Sequence, residues 1–103
     1  MISQMDIKDL TPSAEQNIWD VRDEKSYREG HIEYAKNIPL STINQSLLQT
    51  VKGDIYVLCG GGTKAGRACA MLDELDPDRR IIHLTGGTRG AKALGMTIIS
   101  EQE

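Results

Sequence analysis

The sequence predicts an α/β fold in which helices cover both faces of a parallel β-sheet. Short apolar runs alternate with helical segments along the chain, and this alternation indicates right-handed βαβ units. Two of the runs, 54–59 and 80–85, are continuous apolar runs of the kind found in strands buried on both faces. No linker or low-complexity segment divides the 103 residues, so we expect a single domain over 1–103.

Five short runs are predicted as strands. "IWDV" (18–21) is a β-type run, and "AKNIPL" (35–40) is a second one that contains a proline near its end. "DIYVLC" (54–59) and "RIIHLT" (80–85) are each followed by glycines, which end them. "MTIIS" (96–100) is the weakest of the five predicted strands.

Three segments between these runs are predicted as helices. Segment 23–30 begins with acidic residues and ends at a glycine, and segment 41–53 opens with a Ser or Thr cap and also ends at a glycine. Segment 65–76 has the clearest helical periodicity and stops before a proline. Its predicted buried stripe consists of Ala65, Ala68, Cys69, Leu72 and Leu75.

Composition and charge exclude several classes of function. The chain has 12 Lys and Arg against 15 Asp and Glu, and the resulting net charge of −3 disfavours a nucleic-acid binder. No stretch approaches the ~20 apolar residues of a membrane span, and the N-terminus lacks a signal-peptide pattern. We therefore expect a cytoplasmic monomer without nucleic-acid or membrane partners, in which the two cysteines are thiols.

The segment "YVLCGGGTKAGRAC" (56–69) places three glycines directly after Cys59. Glycines let the chain curl until successive amide groups converge on one point, which makes a nest for an anion. The helix predicted to follow adds free amide donors and partial positive charge, and Lys64 adds a full charge. Because such surroundings favour an ionised sulfur, we interpret Cys59 as a nucleophile whose bound substrate or product is also anionic.

Both cysteines have a structural alternative, because a free cysteine is most often a small buried hydrophobe. For Cys59 that alternative leaves the three-glycine loop unexplained. Cys69 lies on the apolar stripe beside Ala65 and Leu72, so we assign it to the core.

Other chemistries of glycine-rich loops do not fit the spacing. A P-loop lysine is followed by Ser or Thr, whereas Lys64 is followed by Ala65. A dinucleotide fingerprint that starts at Gly60 needs a glycine at position 65, and a cysteine-dependent phosphatase needs an arginine there. The spacing of cysteines and histidines suits no zinc site, so we expect neither a cofactor nor a metal.

A similar segment follows the next predicted strand. "GGTKAGRA" (61–68) and "GGTRGAKA" (86–93) share two glycines, a threonine, a basic residue and a helix start. Turns between strands and helices often recruit such residues. The likeness nevertheless places Lys64 and Arg89 at the carboxyl ends of two successive strands, the edge where open α/β sheets bind ligands.

Three segments resemble the rhodanese family, in the family's order. "DVRDEKSYREGHIEYAKNIPL" (20–40) resembles the pattern D-V-R-x-x-x-E-[FY]-x-x-G-H-I-x-x-A-x-N-I-P-L. The six residues 59–64 resemble the active-site loop, and "LTGGTRGAKALGM" (84–96) resembles the ending L-x-G-G-x-x-x-W-x-x-x-G-[LM]. Together the three segments span nearly the whole chain.

The resemblance implies a five-stranded parallel sheet in which the strands ending at Cys59 and Thr85 are neighbours. It implies a sulfurtransferase in which Cys59 takes sulfane sulfur from a small anionic donor, thiosulfate or a persulfide, and becomes a persulfide. The acceptor is cyanide, a thiol or a partner protein. The substrate-binding residues implied are Gly60, Gly61, Gly62, Thr63, Lys64 and Arg89.

The chain departs from the family pattern at three positions. Ser26 replaces an acidic residue, Gly60 stands where many members have arginine, and Ala91 stands where tryptophan is usual. With two large side chains missing near the loop, we expect weak activity with thiosulfate and favour a protein or low-molecular-weight persulfide as donor. The alternative to an enzyme is a rhodanese-like sulfur carrier, sensor or binding module with little turnover.

Four further polar residues are interpreted as structural. Asp20 and Arg22 straddle the end of a strand, where a carboxylate–guanidinium pair would fix the following turn. His31 is expected to fix a turn by a hydrogen bond, because a thiolate already held by amides needs no general base. Arg67 is placed on a solvated helix face.

Overall fold

A computed structural model describes residues 1–101. Two single 3₁₀ turns lie at Ile7–Asp9 and Leu40–Thr42. The regular elements, in chain order, are β1 (Ile2–Asp6), β2 (Asn17–Asp20), α1 (Glu24–Glu29), β3 (His31–Ile32), β4 (Lys36–Asn37), α2 (Gln45–Gln49), β5 (Ile55–Leu58), α3 (Thr63–Leu75), β6 (Ile81–Thr85), α4 (Gly87–Ala93) and β7 (Ile98–Ile99).

The main sheet has five strands in the order β1-β6-β5-β2-β4, and every neighbouring pair is parallel. The five-stranded parallel sheet is thus confirmed. β5 and β6 lie side by side, with Val57 opposite His83, so both strands end at the same edge of the sheet. The loops that follow them, which contain the two glycine-rich segments, are therefore neighbours.

The fifth strand of this sheet is not the one that the sequence predicted. The predicted strand 96–100 contributes only β7, which pairs antiparallel with β3 in a separate two-stranded sheet. The remaining place is taken by β1, which pairs with β6 at the sheet edge. β1 is mostly exposed, so it lacks the apolar run that marks a strand buried on both faces.

Two predicted elements are shorter in the structure than in the sequence prediction. Of the predicted strand 35–40, only β4 pairs with the sheet. Of the predicted helix 41–53, only α2 is α-helical, because the side chain of Asn44 accepts a hydrogen bond from the Leu47 amide and caps a new helix there.

The core lies on both faces of the sheet. Ile55, Val57 and Cys59 belong to one buried cluster, together with the α3 stripe, while Leu58 belongs to a second cluster on the other face. Helices therefore cover both faces, as predicted. The assignment of Cys69 to the core is confirmed. The fully buried members of the α3 stripe are Ala65, Ala68, Cys69 and Leu72.

Within residues 1–101, no helix is both long enough and apolar enough to cross a membrane.

Candidate active site

Cys59 follows the last residue of β5 and is 3% exposed. Its Sγ accepts hydrogen bonds from the amides of Gly62, at 3.0 Å, and Ala65, at 3.3 Å. The Ala65 amide belongs to the first turn of α3, so the sulfur caps the free donors at this helix start. Both donors favour negative charge on the sulfur over a neutral thiol.

The turn that brings these amides to the sulfur depends on Gly62. Its φ of 110° lies in the left-handed region, which glycine adopts without the penalty that a Cβ atom imposes. Gly60 and Gly61 have no such requirement. Cβ atoms there would make ordinary contacts, at 3.8 Å from the Arg22 side chain and 3.5 Å from Arg89 Nη1. The side chains of Arg22 and Arg89 thus lie beside this loop, residues 59–64, which we call the sulfur loop.

The start of α4 holds the sulfur loop from outside. The Thr88 amide donates to the Cys59 carbonyl at 2.9 Å, and the Arg89 amide donates to the Gly60 carbonyl at 3.2 Å. Gly87 makes this approach feasible, because a Cβ atom there would lie 2.2 Å from the Cys59 carbonyl oxygen. The second glycine-rich segment thus fixes the carbonyls of Cys59 and Gly60 by backbone hydrogen bonds.

A cavity of about 370 Å³ opens above the sulfur. It brings together most of the site residues predicted from the sequence, with the cations Lys64 and Arg89 on its walls. Gly62 does not line it and contributes through its amide alone. The lining residues are Arg22, Ser26, Cys59, Gly60, Gly61, Thr63, Lys64 and Arg89.

Arg22 and Ser26 are site residues that the sequence analysis missed. Arg22 does have the structural role assigned to it, since its Nη2 donates to Asp20 Oδ2 at 2.8 Å and to the Gly30 carbonyl at 2.7 Å. It also lines the cavity, because β2, which ends two residues before it, pairs with β5, which ends one residue before Cys59. The "DVR" pattern was the available signal, but it marked Arg22 only as a partner for Asp20.

His31 lies outside the cavity and has the turn-fixing role that was predicted. Its Nδ1 is 2.9 Å from the Tyr27 carbonyl oxygen, and its ring stacks on the Tyr27 ring at 3.7 Å between centroids. Ala91 also lies outside the cavity, fully buried in the cluster that contains Ile7 and Leu58. The residue that replaces the usual tryptophan therefore changes the packing beneath α4.

The electrostatics of the cavity favour an anion. Arg22, Lys64 and Arg89 line it, and among residues 1–101 the carboxylate that forms an ion pair with one of them is that of Asp20, which is fully buried and bound to Arg22. Burial, followed by the charge of Cys59, raises the pKa of the Cys69 thiol to about 11. Among residues 1–101, no group of three His, Cys, Asp or Glu side chains could hold a metal ion.

Comparisons with known proteins agree with this geometry. The family model of the rhodanese-like domain matches residues 3–94, whereas no curated protein matches the chain. The crystal structure of the rhodanese-like domain of the Alr3790 protein from Anabaena sp. is 28% identical, with a TM-score of 0.75 over 85% of this chain and 95% of that chain.

Two longer structures are also similar. A solution structure of the Anabaena domain is 28% identical, with a TM-score of 0.73 over 82% of this chain, and this chain spans 65% of its length. Thiosulfate sulfurtransferase from Pseudomonas aeruginosa is 24% identical, with a TM-score of 0.72 over 84% of this chain and 17% of that chain, and this likeness supports the fold alone. Because the family model matches most of its residues, the chain belongs to the rhodanese-like domain family.

Proposed function

We propose that the protein is a sulfurtransferase that carries sulfane sulfur on Cys59. The observation that supports this most directly is the position of the Cys59 sulfur, which accepts two amide hydrogen bonds at the floor of a cavity lined by Arg22, Lys64 and Arg89. Amide donors stabilise the thiolate as a nucleophile, and the cations attract an anionic donor.

In the first half-reaction the Cys59 thiolate attacks the outer sulfur of the donor. A bond forms between Sγ and that sulfur, and the bond that joined the sulfur to the donor breaks. The electron pair leaves with the donor remnant, which is sulfite when thiosulfate is the donor. Cys59 becomes a persulfide anion, and no external oxidant or reductant is consumed.

In the second half-reaction the acceptor attacks the terminal sulfur of the persulfide. Its S–S bond breaks, and the electron pair returns to Cys59 as the thiolate. Cyanide leaves as thiocyanate, and a thiolate acceptor, of a small molecule or a partner protein, leaves as its own persulfide. We assign the amides of the loop 60–64 and the cations Lys64 and Arg89 to the negative terminal sulfur and to the donor.

Mass spectrometry after treatment with thiosulfate or a low-molecular-weight persulfide tests this proposal. We expect one added sulfur on the protein, located on Cys59, removed by cyanide and absent in Cys59→Ser. Cys69→Ser is the matched control and should gain and lose the sulfur like the wild type. A Cys59 that stays unmodified with every donor would refute the proposal.

The alternative is a sulfur carrier, sensor or binding module with little turnover. The observation that favours it is the 3% exposure of Cys59, which restricts acceptors to those that can enter the cavity. Steady-state kinetics separate the two functions. Rapid multiple turnover with cyanide or a small thiol supports the enzyme, and a single stoichiometric transfer supports the module.

A further inference from the structure

A groove leads away from the Cys59 cavity along the exposed side of α3. It consists of two hollows, of about 440 and 580 Å³. Lys64 lines both the Cys59 cavity and the first hollow, and Met71 lines both hollows. The first hollow therefore adjoins the site of the proposed chemistry at Lys64, and the second hollow adjoins the first at Met71.

The wall that α3 contributes is a single stripe of its surface. Lys64, Arg67 and Met71 are three and four residues apart, the spacing that puts side chains on one helix face. Val21 and Leu40 form the facing wall of the first hollow. Met71 is 36% exposed, so an apolar side chain lies open to solvent in the middle of the groove.

The cations of the first hollow have no partner in an ion pair. Among the ion pairs formed within residues 1–101, none includes Lys64 or Arg67. The hollow has one carboxylate, that of Asp23, which caps α1. The Ser26 amide and hydroxyl, and then the charges of Lys64 and Arg22, hold the pKa of Asp23 below its usual value. Arg67 is exposed.

Charge and apolar surface thus follow one another along the groove. The end near Cys59 is cationic, Met71 follows, and the acidic Glu74 lines the second hollow. An occupant that complements this order has an acidic group nearest the sulfur and an apolar group farther away.

We propose that this groove binds an extended segment of an acceptor protein, with the receiving thiol at Cys59, an acidic side chain at Arg67 and an apolar side chain at Met71. The inference rests on the proposed sulfur transfer. Four helical residues separate Arg67 from Met71, about 6 Å along the axis. Alternate side chains of an extended chain point the same way about 7 Å apart, which fits an acidic and an apolar group two residues apart. We place the receiving thiol two residues from the acidic group, on the side away from the apolar one.

The first experiment measures transfer from persulfidated protein to two peptide thiols, acetyl-Cys-Gly-Glu-Gly-Leu-amide and its lysine counterpart acetyl-Cys-Gly-Lys-Gly-Leu-amide. Both are also made in reverse order, since the groove fixes the spacing but not the chain direction. We expect the better of the two acidic peptides to have kcat/KM about fivefold above its lysine counterpart at low salt. Equal values in both directions would overturn the inference.

A pair of variants locates the discrimination in the groove. Arg67→Glu should abolish or invert the preference for the acidic peptide and leave transfer to cyanide unchanged. Lys52→Glu makes the same change of charge at an exposed residue that precedes β5, near the amino-terminal ends of the strands and opposite to Cys59. This variant should keep the preference. If both variants lose the preference alike, the effect is one of net charge and the groove is not the docking site.

Binding is measured separately on Cys59→Ser, which needs no sulfur chemistry. The acidic peptide should shift the backbone amide resonances of residues 40, 41 and 64–75, and the lysine peptide should shift them much less. If the acidic peptide causes these shifts but the wild type forms no persulfide, the groove is a docking site and the sulfurtransferase proposal is refuted. If the wild type forms a persulfide but the peptide causes no shifts, the sulfurtransferase proposal stands and the docking site is refuted.

Discussion

The conformation of the sulfur loop depends on Gly87. Its φ is 56°, and an added Cβ atom would lie 2.2 Å from the Cys59 carbonyl oxygen and 2.8 Å from that of Gly60. Backbone must move to accept even a methyl group there. The movement would break the bonds from the Thr88 and Arg89 amides, which hold those carbonyls in place.

Gly87→Ala should therefore slow the alkylation of Cys59 well below the rate in Gly95→Ala, in addition to lowering the free energy of unfolding. Gly95→Ala is the matched control, because Gly95 also has a positive φ, of 76°, but nothing lies within 4 Å of its added Cβ. Both variants bear the strain of a left-handed alanine, about 1–2 kcal/mol, but only Gly87→Ala displaces the loop. Alkylation rates and denaturant unfolding of both variants are the measurements. Equal alkylation rates for the two would show that α4 does not position the sulfur.

The two cysteines should differ strongly in reactivity. Burial raises the pKa of Cys69 from 9.0 to about 11, so at neutral pH it is ionised about a hundredfold less than an ordinary thiol. Because the thiolate is the reactive form, iodoacetamide should modify Cys59 first and leave Cys69 largely unmodified in the folded protein. Peptide mass spectrometry over a time course measures both rates, and faster labelling of Cys69 would contradict the assignment of Cys59.

The site residues adjacent to Cys59 were predictable, as was Arg89 through the likeness of the two glycine-rich segments, whereas Arg22 and Ser26 were not. The loop from Cys59 to Lys64 carries its own signal, three glycines between a strand and a helix. Arg22 and Ser26 reach the cavity only because β2 lies beside β5, a pairing that no local pattern states. The glycines at 86 and 87 were noted as a repeat, but their contact with the loop carbonyls became visible only in three dimensions.

At the scale of elements, α3 connects the site to the core. Its stripe packs on the face of the sheet that carries Val57 and Cys59, so the position of the helix start relative to the sulfur follows from the packing. Leu72 is fully buried there, whereas Met71 is 36% exposed.

Leu72→Ala should reduce the free energy of unfolding by about 2–5 kcal/mol, the usual cost of a core cavity. Met71→Ala truncates the neighbouring side chain in the groove and should cost less than Leu72→Ala, because part of the Met71 surface is already exposed to water. Urea unfolding followed by circular dichroism measures both changes. Similar costs for the two variants would mean that the Leu72 side chain is not the anchor of α3.

The strands that are buried on both faces of the sheet were predicted correctly. The exposed edge strand and the extent of one helix were not. The runs at 54–59 and 80–85 became the central strands β5 and β6, since strands buried on both faces must be apolar throughout. β1 was missed because a mostly exposed edge strand has no such requirement, and Ile2 itself is 46% exposed. The extent of helix 41–53 was wrong because an internal cap at Asn44 outweighed the terminal signals.

At the scale of the molecule, the site exists because β5 and β6 are parallel neighbours whose carboxyl ends lie side by side. β5 supplies Cys59, β6 leads into α4, and their parallel pairing puts both glycine-rich segments against each other. The sheet separates two buried clusters, so the chain fixes this edge from both faces. We propose that the whole chain acts as one domain around this edge, since no smaller part of it contains both loops and both clusters.

The stability of the whole protein should fall as the pH rises from about 9 to about 11, in part because of Cys69. In that window the unfolded thiol has lost its proton while the buried thiol keeps it, so the unfolded state binds fewer protons and is favoured. Below pH 9 both states are protonated, and this contribution is fully present. We expect a loss on the order of 1–2 kcal/mol across the window.

Cys69→Ala isolates this contribution, because burial also raises the pKa of Tyr27 and adds its own alkaline loss to both proteins. The variant should be less stable than the wild type at neutral pH by a small cavity cost, and the difference should shrink as the pH approaches 11. Urea unfolding at successive pH values provides the two curves. Parallel curves would mean that the Cys69 thiol ionises equally in both states, which is incompatible with its place in the core under α3.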